Sequence, residues 1–270
     1  MNKICTGFFI IFLLGIPAGL HAGGSTEQEL VSVFDFEGID ALEVREASIF
    51  DVRYEGGTSS GVHIEFIVPD NSVFRLNTRQ NGSGLVLEPV QKSRPLLETG
   101  EHRILISGPR DIDLVISTST GSVNVSRFNG AMNCVTTTGA IEAAEAEGSF
   151  SWRSSTGSQR LAGSSGTFLL NSSTGKIKLE SCSGVFVLES TTGTQTGRDL
   201  LIEGDCSFTA STGSISMEFR NPMDDFTFSL SSTIGTITIG ETSVSGTYAA
   251  GDGPYTITTE TTTGKQVFRK

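Results

Sequence analysis

Between residues 113 and 246 the apolar positions line up in columns when the chain is folded back on itself every 18 residues. The segments are DLVISTSTGSVNVSRFNG (113–130), AMNCVTTTGAIEAAEAEG (131–148), SFSWRSSTGSQRLAGSSG (149–166), TFLLNSSTGKIKLESCSG (167–184) and the longer VFVLESTTGTQTGRDLLIEG (185–204). Two further segments, 205–224 and 225–246, continue the series. The second position holds Leu114, Met132, Phe150, Phe168, Phe186, Cys206 and Phe226, and the fourth holds Ile116, Cys134, Trp152, Leu170, Leu188, Phe208 and Phe228. The column between them varies freely: Val115, Asn133, Ser151, Leu169, Val187, Ser207, Thr227. Such period-two alternation predicts a strand with one face turned inward. A second apolar column (Val123, Ile141, Ile177, Ile215, Ile237) predicts a second strand in each segment, interrupted by Gln159 and Gln195.

The two strands are punctuated by glycine. Gly121, Gly139, Gly157, Gly175 and Gly193 are spaced 18 apart, Gly213 continues them, and Gly130, Gly148, Gly166 and Gly184 fall midway. Glycine at every ninth position costs a helix about 1 kcal/mol each time, and the Ser/Thr runs offer the backbone other partners. A fixed period of this size marks a repeat architecture. Parallel strands about 4.7 Å apart would then carry like side chains above like, and parallel crossovers are right-handed. The expectation is an all-β, right-handed, single-stranded parallel β-solenoid of 18-residue coils with a strand-rich N-terminal cap. Leu114, Met132, Phe150, Phe168, Phe186, Phe226, Ile116, Trp152, Leu170, Leu188, Phe208 and Phe228 are its expected core ladder. Thr120, Thr138, Thr156, Thr174, Thr192 and Thr212, each before a glycine, are its expected turn ladder.

Residues 1–22 read as an export signal: Lys3, then the apolar run Gly7–Leu20, then Ala22 as a small residue for cleavage. Residues 23–110 lack the period but hold strand-like runs separated by Gly, Pro and Asn, and are expected to form a cap or irregular first coils, with a separate domain as the alternative. Residues 111–246 are the regular repeats, and 247–270, with a loose echo around Gly264, are expected to form the C-terminal cap.

The net charge of −11 comes without any Lys/Arg run, so nucleic acid and anionic lipid are poor partners. No second apolar run of membrane length follows the signal. Cys134, Cys182 and Cys206 have no metal-ligand spacing. Two strand spacings separate Cys134 from Cys182, too far for a disulfide; a Cys182–Cys206 bridge stays open beside the reading of small buried hydrophobes.

Catalytic signals are weak. Gly57-Thr58-Ser59-Ser60-Gly61 matches a nucleophile-elbow pattern but lacks the helix that such a motif needs. Ser173-Thr174-Gly175-Lys176 matches S-x-x-K, yet Ser173 belongs to the same repeat column as Ser119, Ser155 and Ser211. The turns lack the aspartate of calcium-binding nonapeptide rolls. No catalytic, metal or cofactor residues are assigned, and no cofactor is expected.

The stretches LVISTSTGSVNV, NCVTTTGAIEA and LLNSSTGKIKLE resemble the "putative adhesin" family of bacterial exported proteins (the DUF4097 class) and its relatives with a head GIN β-helix domain. The resemblance runs from Ile104 to about Gly240 and carries no catalytic or binding residues onto this chain. With the export signal, it leads to the expectation of an exported protein, in the periplasm, at the cell surface or secreted, whose envelope or extracellular ligand (protein or carbohydrate) is unknown. The expected function is a non-enzymatic binding, adhesion or scaffolding surface at the cell envelope. The alternatives are a carbohydrate-active enzyme on a β-helix scaffold and an envelope stress or signalling accessory domain.

Overall fold

The computed structural model describes residues 30–93 and 100–270; the expected export signal lies outside them. The described chain is all-β, in one 18-stranded sheet. The N-terminal strands are β1 (Leu30–Glu37), β2 (Ala41–Val44), β3 (Asp51–Gly57), β4 (Gly61–Val68), β5 (Phe74–Asn81), β6 (Gly84–Gln91) and β7 (Arg103–Pro109). The repeats form β8 (Asp113–Thr118), β9 (Val123–Thr136), β10 (Ile141–Thr156), β11 (Gln159–Ala162), β12 (Ser165–Glu180), β13 (Ser183–Ile202) and β14 (Cys206–Phe219). The C-terminal strands are β15 (Phe226–Ile239), β16 (Thr242–Ala250), β17 (Tyr255–Thr263) and β18 (Gln266–Arg269).

Through the repeats, each segment pairs in parallel with the one 18 residues away. Phe150 lies beside Met132 and Phe168, Phe168 beside Phe186, and Leu170 beside Trp152 and Leu188. These side chains are buried. The Phe150, Phe168 and Phe186 rings stack face to face with centroids 5.0 and 5.1 Å apart. Register and packing therefore reinforce each other: a one-residue slip would turn every ring outward, and each fully buried ring contributes about 1.5–3 kcal/mol.

Most strands do not stop at the glycines. β12 runs through Gly175, and β13 through both Gly184 and Gly193. The glycines are bends within continuous strands rather than turns between short ones. Gly175 has φ +153°, and a Cβ there would collide with the carbonyl oxygen of Gly157. Both the left-handed backbone and the close approach of the neighbouring layer thus demand glycine. A third bend per repeat carries no consistent residue type: Arg127, Glu145, Gly163, Ser181 and Asp199, spaced 18 apart, all have φ between +51° and +57°.

At both ends the order of layers in space departs from the order in sequence. β2 and β3 lie directly against the first repeat, with Leu42 beside Leu114 and Val52 beside Val123. After β3 the chain leaves this layer, and β6 and β7 return to its other side, Leu85 beside Leu42 and Ile104 beside Val52. β5, β4 and β1 then cover these strands by antiparallel pairing. The region 23–110 is thus split: 41–57 is a layer of the main stack, and the excursion folds back as the cover.

The C-terminal end mirrors this. β17 and β18 pair in parallel with β14 on one side and with β15 on the other. The tail expected as a terminal cap is instead a layer inserted between two earlier segments. The actual cover is β15 with β16, which pairs antiparallel to it as the outermost strand. The last repeats therefore do not stack in sequence order.

The interior column read as interrupted by glutamine is a regular one. In spatial order it runs Ile141, Gln159, Ile177, Gln195, Ile215, Gln266, Ile237. All seven are buried. Each glutamine amide donates to a hydroxyl five residues earlier (Ser154, Ser190, Thr261, at 2.9–3.0 Å) and to a backbone oxygen of the next layer (Asn171, Thr209, Ser231, at 2.6–2.7 Å). The two donor bonds of each amide clamp two layers together; of the three amide oxygens only that of Gln266 is paired among the described residues, accepting from the Thr259 hydroxyl. Gln266 supplies the alternation only because the tail is inserted.

Cys134, Cys182 and Cys206 are buried and unbridged. Cys182 donates to the Glu180 carbonyl oxygen, as Ser164 does to Ala162 one layer away. Burial raises the pKa of all three thiols, that of Cys206 to about 11.

Candidate binding surface

The residues of the Ser/Thr–Thr–Gly steps face solvent as a double row. In spatial order the pairs are Ser119–Thr120, Thr137–Thr138, Ser155–Thr156, Ser173–Thr174, Thr191–Thr192, Ser211–Thr212 and Thr262–Thr263, all exposed. Thr156, Thr174, Thr192, Thr212 and Thr263 are register partners in successive layers. The row ends at Ile234, 64 % exposed, which pairs with Thr263. The bend at each glycine positions these side chains: the strand turns there, so two consecutive residues point outward together. The buried hydroxyls are one step inside, at Thr118, Thr136, Ser154, Ser172 and Ser190. Thr136 accepts from the Gly139 N–H and Thr118 donates to the Ser48 carbonyl oxygen, which holds the bend.

Around the next face lies a shallow recess of about 550 Å³. Its small residues are Ser126, Ala144 and Ala162, with Arg53, Asn124, Glu142 and Arg160 also lining it. The cations are already committed to carboxylates. Arg160 reaches Glu180 at 2.6 Å, and Arg53 lies 3.8 Å from Glu55. Lys178 and Arg160 together pull the Glu180 pKa down to about 2. Glu142 is the one carboxylate lining the recess. A pair of carboxylates flanking a bound sugar, as glycoside hydrolysis commonly uses, is not assembled there.

The two catalytic pattern matches lie apart. Ser59 is in the exposed link between β3 and β4, where its hydroxyl donates to the Gly61 carbonyl oxygen at 2.9 Å. His63 follows on β4, but its Nδ1 meets Asp35 at 2.7 Å and its Nε2 lies 3.6 Å from Glu65. Ser173 belongs to the exposed row. Among the described residues no group of three His, Cys, Asp or Glu side chains is placed to hold a metal ion, and no helix is long and apolar enough to cross a membrane. The recess was not legible from sequence; its only forewarning is the run of small residues at one repeat position, Ser126, Ala144 and Ala162.

No family model matches the chain, and no curated protein matches it. It is similar to solved structures at low identity. One is a crystal structure of a "putative adhesin" from Bacteroides fragilis, 12 % identical, covering 91 % of this chain and 98 % of that one, with a TM-score of 0.47. A second is a "putative adhesin" from Parabacteroides merdae, 12 % identical, covering 91 % and 97 %, with a TM-score of 0.41. A third is a "putative lipid binding protein" from Parabacteroides distasonis, 14 % identical, covering 90 % and 98 %, with a TM-score of 0.42. These similarities assign no site residue to this chain.

Proposed function

We propose that the chain is an exported, non-enzymatic, right-handed β-solenoid that offers a binding or scaffolding surface at the bacterial cell envelope. The observation that carries this reading is the double row of exposed hydroxyls repeated in register from layer to layer. The mechanism is passive. A rigid stack presents one weak contact per layer at about 4.7 Å spacing, and contacts that act together gain avidity without any single strong site. A polyhydroxylated or peptide ligand supplies matching donors and acceptors, so the ligand class is carbohydrate or protein. Parallel pairing with three bends per repeat supports the solenoid winding, and the apolar start of the chain supports export.

The test is retention of the exported chain on peptidoglycan sacculi and on mucin-coated plates. Wild type should be retained on at least one. Changing Thr156, Thr174, Thr192 and Thr212 to Ala should weaken retention progressively, by more than the sum of single changes. Equal retention of the quadruple variant, or no retention of wild type on either probe, would overturn the proposal.

A further inference from the structure

The outermost strand at the C-terminal end is open. Among the described residues β16 pairs with β15 alone, so one of its edges presents backbone groups with no partner among them. Proteins usually blunt such an edge with charge, proline or a bulge. The opposite end of the molecule follows the rule: β5 carries Arg75 and Arg79, and β1 carries Asp35 and Glu37. β16 reads Thr-Ser-Val-Ser-Gly-Thr-Tyr-Ala-Ala, with no charge and no proline, and is mostly exposed. Its shape matters equally. Residues 246–250 lie along one face of the stack opposite Ser232 to Phe228, and residues 242–244 lie along the next face opposite Ile239 to Ile237. The strand therefore bends near Ser245, close to its midpoint.

A strand bent at its middle is complementary to a copy of itself. A twofold axis through Gly246, perpendicular to the stack, lays each arm over the opposite arm of a second molecule. Ser245 then faces Thr247 of the second copy, and Val244 faces its Tyr248. Both Val244 and Tyr248 are partly buried against the core, so the pairing continues the interior across the junction. We propose that two copies of this chain join end to end by antiparallel pairing of β16 with β16, an isologous interface that closes at the dimer. The joined stack doubles the length of the hydroxyl row, although the pairing itself does not depend on what that row binds. Glu241 and Asp252, which flank the strand, approach each other across the axis. Salt screens that repulsion, so association should strengthen as salt rises.

Sedimentation equilibrium of the exported chain tests this. Wild type should be dimeric at high micromolar concentration, with a dissociation constant that falls as salt rises. Ser245→Arg with Thr247→Arg sets four guanidinium groups around the axis and should yield a monomer with an unchanged circular dichroism spectrum. Ser245→Arg with Thr247→Glu sets each arginine opposite a glutamate of the second copy and should restore the dimer. A monomeric wild type, a dimer that survives the double arginine change, or a charge-complementary pair that stays monomeric would each overturn the proposal.

Discussion

The middle of the stack and its two ends use the same parallel pairing but differ in how sequence maps onto space. From Asp113 to Phe219 each layer is followed by its successor. At the ends the outermost layers are excursions, β4 to β7 and β15 to β16, that leave between two adjacent layers and fold back over the edge. A chain that simply ran out at its last coil would leave a fully open edge there. Looping out one layer early lets a later or earlier segment become the cover, so both ends are covered from within the chain, although the last covering strand, β16, keeps one open edge.

The largest effect expected of this comparison lies in the core ladder. Phe168 is stacked between two rings and fully buried, whereas Phe228, in the outermost layer pair, is 5 % exposed. Phe168→Ala should cost about 3–5 kcal/mol in urea denaturation, because rigid layers on both sides cannot collapse into the cavity. Phe228→Ala should cost less, since the covering hairpin can settle inward. Equal losses would erase the distinction between middle and end.

The glycine bends sharpen it. Gly157 combines φ +145° with a neighbour that leaves no room for a Cβ, whereas Gly240, in the β15–β16 turn, has φ +55° and open space around it. Gly157→Val should lower stability by at least about 1–3 kcal/mol, and Gly240→Ala by about 1 kcal/mol. A Gly157→Val protein that melts like its parent would mean that the layers separate more easily than their register implies. This contrast also explains what was legible. A bend that excludes every Cβ writes glycine into the sequence at each repeat. The third bend, at Arg127, Glu145, Ser181 and Asp199, sits near φ +55°, where other residues fit at modest strain, so it leaves no residue signature.

Gln195 and Gln266 test whether the inserted tail is a full member of the stack. Replacing either by Met removes the amide but keeps the volume, stranding a buried hydroxyl and a carbonyl at about 1–3 kcal/mol; at Gln266 the buried Thr259 hydroxyl, which donates to its amide oxygen, is stranded as well. Gln266→Met should lose at least as much as Gln195→Met in thermal unfolding; a silent Gln266→Met would show that the last layer contributes little. The tail's place was within reach of the sequence. Thr263-Gly264-Lys265-Gln266 repeats the spacing of Thr156-Gly157-Ser158-Gln159 and Thr192-Gly193-Thr194-Gln195, and a glutamine layer calls for isoleucine layers on both sides. Periodicity alone reports succession along the chain, so the insertion stayed hidden until the pairings were seen. The exposed hydroxyl row was legible as a column; its exposure was not, because the same residue types also fill the buried column one step inside.

The smallest effect concerns the N-terminal cover, which is held partly by charge where the middle is held by packing. His63 on β4 bonds Asp35 on β1, and that bond, with lesser help from Glu65, raises its pKa above the ordinary 6.5. Partial burial of the ring opposes the protonated form. Because the folded value lies above the unfolded one, the stabilisation is fully present below about pH 6.5 and fades as pH rises through the folded value. The ring is 45 % exposed, so the pair is worth under about 1 kcal/mol. Asp35→Asn should bring the His63 titration, followed by NMR, back toward its ordinary value and flatten the loss of stability above about pH 6.5. A titration unmoved by that change would mean that β1 is held on β4 by backbone pairing alone, and the two ends of the molecule would then differ only in their topology.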